Sequence, residues 1–378
     1  MKRVFAFFLT LCTFLSVSLP FSATETSAKA AVVIEAASGT ALYEKNADTP
    51  LPEASTTKIM TALLVLEQAD KDRRIRISAK AATVEGSQLG LAAGDELTVR
   101  DLLYILMLKS GNDAAVALAE CVSGSEEKFV EQMNEKATEL GLKNTHFENP
   151  HGLPAEGHYT TARDLAELTA VALENSAFRK IVSSRTIRLE YKNLVLTNSN
   201  KLLSVCDGVF GVKTGFTKAA GRCLVTAAER RGVTLICVTL NDGNDWQDHE
   251  TLYRSCFERV SRQTITPQGE YRCKLPVLGG DGNAVLTNAL PLTCITIDGI
   301  PIRYEIRHTA IPMIFAPVPS GITAGTVTVR SERGRTVEFS PLNVSEEVGQ
   351  KKEERTFFGS FPLKLRKFWR TLISEIAF

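Results

Sequence analysis

Apolar side chains at Ile59, Met60, Leu63, Leu64 and Leu66 recur at helical spacing within residues 55–69, just after a proline and a serine, and predict a helix starting there. Residues 101–121 predict a second helical region, interrupted near Ser110-Gly111-Asn112. Val32 to Glu35 and Ala41 to Glu44 flank a Ser-Gly turn and predict an N-terminal hairpin. Three β-rich runs, 209–216, 222–228 and 233–240, are separated by glycines and read as neighbouring antiparallel strands. After about Thr264 helical periodicity fades. Short apolar runs at Ala284–Leu286, Thr293–Ile297, Arg303–Ile306 and Thr326–Arg330, punctuated by Gly and Pro, predict a small all-β domain.

The two ends differ from this body. Lys2 and Arg3 precede an apolar run from Val4 to Phe21, and Ala28-Lys29-Ala30 offers a small-residue cleavage site, so residues 1–30 read as a secretory signal peptide. An uncleaved anchor is the weaker alternative, since the run barely reaches spanning length. The polar stretch 345–355 reads as a linker. Beyond it Phe361, Leu365, Phe368, Leu372 and Ile376, widened by Trp369 and Ile373, form one helical stripe with Arg366 and Arg370 at its flanks. A cationic, aromatic-rich amphipathic helix fits an interfacial membrane anchor. The expected plan is therefore 1–30 signal, 31–262 mixed domain, 263–345 β-rich domain and 346–378 linker plus anchor, exported to the outer face of the cytoplasmic membrane or the cell wall.

Composition narrows the function. The chain has 378 residues, is 44% hydrophobic and 23% charged, and carries a net charge of +1, which argues against nucleic acid as a partner and against disorder. None of the eight cysteines shows C-x-x-C spacing, so neither a metal nor another cofactor is expected. Cys223 and Cys237 sit in strand-like apolar runs and read as core residues. A Cys273–Cys294 disulfide is left open.

Three short motifs carry chemistry. Ser55-Thr56-Thr57-Lys58 puts a hydroxyl and an amine one helical turn apart on one face. Serine needs a neighbouring base, and lysine serves as one only when burial or nearby positive charge lowers its pKa. Ser110-Gly111-Asn112 offers a proton-relaying hydroxyl and an amide. Lys213-Thr214-Gly215, on a strand, offers fixed charge, a hydroxyl and a site of close backbone approach. Each alone is weak, because a capping serine with a solvated lysine explains most S-x-x-K segments. In this order, on helix, loop and strand, the three match the signature of class A β-lactamases and penicillin-binding proteins.

The match extends further. Pro52 through Lys58, Ser110 through Ala114, Asn149-Pro150-His151-Gly152-Leu153 and Asp207 through Thr217 resemble the low-molecular-mass D-alanyl-D-alanine carboxypeptidases, peptidase family S11. The resemblance implies an α/β (α+β) β-lactamase/transpeptidase-like catalytic domain with an antiparallel sheet and a helical part. A small all-β domain and a C-terminal amphipathic helix complete the implied plan. It implies that Ser55 attacks the carbonyl between two terminal D-alanines while Lys58 takes its proton. Ser110 passes a proton to the departing D-alanine, helped by Lys213. Asn112 holds the stem-peptide amide, Thr214 the terminal carboxylate, and Gly215 lets the strand approach. The N–H groups of Ser55 and Phe216 form the oxyanion hole. Some relatives carry histidine where this chain has Phe216, but only the backbone is needed there. The implied partners are the peptidoglycan stem peptide as substrate, β-lactams as covalent inhibitors, and the membrane surface. His151 is assigned to a loop beside the pocket rather than to a Ser-His-Asp triad, because Lys58 already fills the base role.

Competing readings share the fold. A β-lactamase needs a deacylating glutamate, and residues 145–175 hold no convincing E-x-x-L-N segment. A non-catalytic β-lactam or wall-peptide sensor is expected to lose Ser55, Lys58 or Lys213, and all three are present. A D,D-endopeptidase is the nearest enzymatic alternative.

Overall fold

The computed structural model describes residues 25–351; the apolar leader run and the aromatic tail stripe lie outside the described residues. A five-stranded antiparallel sheet runs in the order Ala41–Lys45, Ala30–Glu35, Val233–Leu240, Gly221–Arg230, Val209–Thr217. Helices cover it on both sides. Val32, Ile34, Val225 and Ile236 pack with the Lys58–Gln68, Val99–Lys109 and Ala162–Glu174 helices. On the opposite face Val33, Leu224, Leu235 and Cys237 meet Leu252, Tyr253 and Cys256 of the Asp245–Phe257 helix. Double-sided burial explains why the central strands read as nearly continuous apolar runs rather than alternating ones. Each fully buried aliphatic side chain contributes roughly 1.5–3 kcal/mol, which anchors the sheet firmly.

The interrupted helical region resolves into two helices. Val99–Lys109 starts at Thr98, whose hydroxyl caps the Asp101 N–H, and ends at Ser110 in the left-handed conformation; Asn112–Ser123 follows at once. The Val209–Thr217 strand lies at the sheet edge, so its outer side is free to face the Ser55 turn.

Residues at the expected exit from the leader are tied into this body. Ser27 N–H donates to Asp248 (2.7 Å), Ala28 is buried, Lys29 N–H donates to the Leu240 carbonyl (3.1 Å), and Ala30 opens the first strand.

Beyond Val260 the chain forms a second, β-rich unit. Its five-stranded sheet has the order Arg272–Leu275, Ala284–Asn288, Thr336–Val344, Thr323–Ser331, Tyr304–Ala310. Leu275, Leu286, Leu292, Val327, Val329 and Leu342 fill its core. The hairpin between Ser331 and Thr336 reaches back to the catalytic body. There Ser331 donates to the Ala37 carbonyl (2.6 Å), and Arg335 bridges the Ala36 carbonyl (2.8 Å) and Glu167 (2.9 Å). All seven cysteines of the described residues are free thiols, Cys273 and Cys294 included.

Candidate active site

Ser55 lies in a short 3-10 turn, Ala54–Thr57, that feeds directly into the Lys58–Gln68 helix. The turn is held by local bonds: Thr56 Oγ1 donates to the Glu53 carbonyl (2.6 Å) and Thr57 Oγ1 to the Ala54 carbonyl (2.9 Å). Ala54 takes a left-handed φ of 50°, which an alanine adopts only where its surroundings impose it. Part of that imposition comes from Gly152. A Cβ added there would sit 1.9 Å from the Ala54 carbonyl oxygen, so only glycine lets the two segments touch.

Lys58 is fully buried one turn beyond Ser55. Its Nζ lies 3.0 Å from Ser55 Oγ, 2.7 Å from Asn112 Oδ1 and 2.6 Å from the His151 carbonyl oxygen. Burial, reinforced by the positive charge of Lys213 and opposed by Asp113, holds its pKa well below the ordinary lysine range. A neutral amine in this position can accept the Ser55 hydroxyl proton.

Ser110 caps its helix at φ 60°, ψ 29°, a geometry that turns its Oγ onto Lys213 Nζ. Lys213 also donates to the Thr214 carbonyl (2.7 Å), and burial lowers its pKa to about 7. The edge strand closes on the turn at Gly215, where a Cβ would stand 3.1 Å from both Ser55 N and the Glu53 carbonyl oxygen. Thr214 is half-buried, and Phe216 is 67% exposed at the rim, paired across the sheet with Arg222.

Ser55, Lys58, Ser110, Asn112, Lys213, Thr214, Gly215 and Phe216 therefore converge on one locus. Asn112 has a further duty. Its Oδ1 accepts from Lys58, and its Nδ2 donates to the Glu85 carbonyl (2.7 Å), leaving one lone pair and one proton for a ligand.

Five contributors escaped the sequence reading. The His151 carbonyl is a Lys58 acceptor, while its ring stands 3.5 Å from Glu126. Gly152 is the contact residue against Ala54. Asp113, next in the S-G-N-D run, receives the N–H groups of Leu89, Gly90 and Leu91 at 2.9–3.2 Å and pins the loop above the pocket. Glu53, wholly buried beside the nucleophile, has its carboxylate 3.3 Å from His158 Nε2; His158 in turn lies 2.9 Å from Thr57 Oγ1. Asp113, His151 and Gly152 were visible as extensions of the motifs. Glu53 also lies inside the quoted Pro52–Lys58 stretch, though nothing there signalled its burial, and His158 carried no mark at all. Among the described residues no cluster of acidic, histidine and cysteine side chains is arranged to hold a metal.

The sequence profile of peptidase S11, D-alanyl-D-alanine carboxypeptidase, matches residues 17–244. The chain belongs to the peptidase S11 family. It is 35% identical over 336 residues to the D-alanyl-D-alanine carboxypeptidase DacF of Bacillus subtilis, a match covering 85% of this chain and 86% of that one. It is 34% identical over 354 residues to the D-alanyl-D-alanine carboxypeptidase DacC of Escherichia coli, covering 88% and 86% respectively. Penicillin-binding protein 5 from Haemophilus influenzae superposes with a TM-score of 0.62 at 27% identity, over 86% of this chain and 98% of that one. The S11 profile ends at residue 244, whereas these three matches extend over most of the chain.

Proposed function

We propose that this S11 member is a serine-type D-alanyl-D-alanine carboxypeptidase acting on peptidoglycan pentapeptide stems. The observation that carries the reading is a buried Lys58 with a depressed pKa, 3.0 Å from Ser55 Oγ. The Ser55 hydroxyl proton passes to neutral Lys58 Nζ as Oγ bonds to the carbonyl carbon between the two D-alanines. The N–H groups of Ser55 and Phe216 stabilise the oxyanion, a contribution typically worth about 3 kcal/mol per donor. The C–N bond then breaks as Ser110, bridged to Lys213, gives the leaving D-alanine nitrogen its proton and is re-protonated with the proton that Lys58 took up, which leaves Lys58 neutral again. Water attacks the ester, releasing the shortened stem and restoring Ser55. Thr214 and Lys213 are the carboxylate partners, and Asn112 spends its free proton or lone pair on the stem amide. β-Lactams enter by the same acylation, their leaving nitrogen staying tethered to the acyl group.

The decisive experiment is D-alanine release from a peptide ending in D-Ala-D-Ala, comparing the protein with Ser55→Ala. Release by the unsubstituted protein alone is expected. Ser55-dependent penicillin labelling without any release overturns the carboxypeptidase reading and leaves a sensor or an enzyme that needs a crosslinked substrate.

The same reading places the enzyme outside the cytoplasmic membrane, delivered by the Val4–Phe21 leader and held by the amphipathic tail. The bonds of Ser27 and Lys29 to the body favour a leader cut upstream of Thr26 rather than after Ala30. Intact mass of the exported protein distinguishes the two, and a chain beginning at Ala31 refutes the upstream cut.

A further inference from the structure

The β-rich unit presents an apolar face that its own core does not use. Ile311, Met313 and Phe315 fall within five residues around a bend at Pro312, and they are 44%, 47% and 49% exposed. Leu278, 44% exposed, is registered directly beside Phe315 in the parallel Val277–Leu278/Ile314–Phe315 pair. Ile322 adds a further exposed apolar side chain close by, since Ile311 N–H bonds to Ala324 of the same strand segment. Five large exposed apolar side chains brought close together by this pairing and by chain adjacency mark a contact surface rather than scattered exposure.

The chain itself indicates the occupant. Gln350 bridges to Gly280 and Lys351 N–H bonds to the Gly279 carbonyl (2.9 Å), so the described residues end one position from Leu278. Residues 352–360 reach at most about 30 Å when extended, and the amphipathic stripe begins at Phe361. Wherever that stripe lies in a bilayer interface, the Leu278–Phe315 face is within tether range of the same headgroups.

We propose that this face is a second membrane contact, which docks the β-rich unit onto the lipid surface beside the tail and sets the height and tilt of the catalytic body. It rests on the anchor reading given above. Lys351 at the exit is offset by Asp281, Glu346 and Glu347, so apolar burial drives the contact and headgroup charge does not. Tethering by the tail raises the local lipid concentration seen by a face too weak to bind alone.

The test uses the full exported chain and phosphatidylcholine vesicles with and without phosphatidylglycerol. Combined Ile311→Ser, Met313→Ser and Phe315→Ser is expected to weaken vesicle binding about tenfold on both vesicle types. Peptide turnover in solution should be unchanged. Phe368→Glu with Trp369→Glu should abolish stable binding. Tail-dependent binding that is unaffected by the triple substitution overturns the second contact and leaves the anchor standing. Equal binding by the tail variant and the unsubstituted protein overturns the anchor reading, and the inference with it. A triple variant that instead changes from dimer to monomer overturns the lipid assignment in favour of a second copy.

Discussion

Around Ser55 the protein buries two lysines, Lys58 and Lys213, and a glutamate, Glu53, whose oxygens have no hydrogen-bond partner. It also bends Ala54 and Ser110 into the left-handed region. The β-rich unit does none of this. Its buried polar side chains, such as Asn288 and Ser340, bond to backbone groups, and its non-glycine residue with positive φ, Asp298, sits in an Asp-Gly turn between strands. Apart from the buried, unpartnered Nε atoms of Arg262 and Arg330, its departures from ideal behaviour are on the outside, as exposed apolar side chains. One region gives up stability to hold reacting groups in unfavourable states, while the other is internally relaxed and spends its surface instead.

The same substitution made in both regions tests that contrast most sharply. Gly152 and Gly334 both have positive φ, +87° and +74°. At Gly334 an added Cβ meets nothing within 4 Å, whereas at Gly152 it strikes the Ala54 carbonyl. Gly334→Ala should cost about 1–2 kcal/mol, the backbone penalty alone. Gly152→Ala should cost 3 kcal/mol or more and slow penicillin acylation by at least about a hundredfold, because the turn carrying Ser55 must move. Chemical denaturation and acylation kinetics on the pair give the answer. Equal costs at the two sites break the comparison.

A smaller effect of opposite sign is expected at Lys213. Its folded-state pKa is lowered from 10.5 to about 7, so folding disfavours the ammonium. That penalty is fully present below pH 7, fades as pH rises from 7 towards 10.5, and vanishes above, where the unfolded chain is neutral as well. Lys213→Met removes it but strands Ser110 Oγ and the Thr214 carbonyl, which takes back part of the gain. The variant should be inactive yet about 1–3 kcal/mol more stable than the parent at pH 6, with the difference shrinking through pH 9. Melting curves across that range decide it. A gap independent of pH means that the lysine's charge is not what the fold resists.

How much of this the sequence disclosed divides along the same line. The helix opening at Ser55, the break at Ser110, the three sheet strands and the β-rich character after residue 263 were all legible, because burial on regular elements leaves periodic apolar patterns. So were the motif residues Ser55, Lys58, Ser110, Asn112, Lys213 and Gly215, which the structure brings together. The helices Glu126–Glu139 and Ala162–Glu174 went unpredicted, although their caps, Ser125 and Thr161, are visible in the sequence. The His151 carbonyl was not legible at all, since a backbone acceptor leaves no side-chain signature. Nor was the burial of Glu53: a glutamate one residue before Ala54 reads as solvated until the strand bearing Gly215 is seen to close over it. The surface patch on the β-rich unit belongs to the same class, because only Leu278 and Phe315 lie in short strands and the exposure of Ile311, Met313 and Ile322 depends on how the connecting segments are laid over the sheet.

The smallest expected effect lies where the two regions meet. Arg335 is the hinge pin of the contact: its guanidinium bonds Glu167 and the Ala36 carbonyl and lies 3.5 Å from Glu174, with its side chain only 11% exposed. If the β-rich unit is a relaxed body merely clasped to a strained one, loosening the clasp should free the former and leave the latter's chemistry alone. Arg335→Ala removes the clasp but spares the Ser331 bond to Ala37 and the Arg333–Glu167 pair at 3.3 Å. The expected cost is therefore about 1–2 kcal/mol, below the loss usual for breaking a fully buried pair. Hydrogen exchange should rise across residues 331–337 and the 36–40 turn, while penicillin acylation stays within about twofold of the parent. A large fall in acylation with no change in exchange at the contact reverses the conclusion, because the β-rich unit would then be transmitting order to Ser55 instead of only positioning the body that holds it.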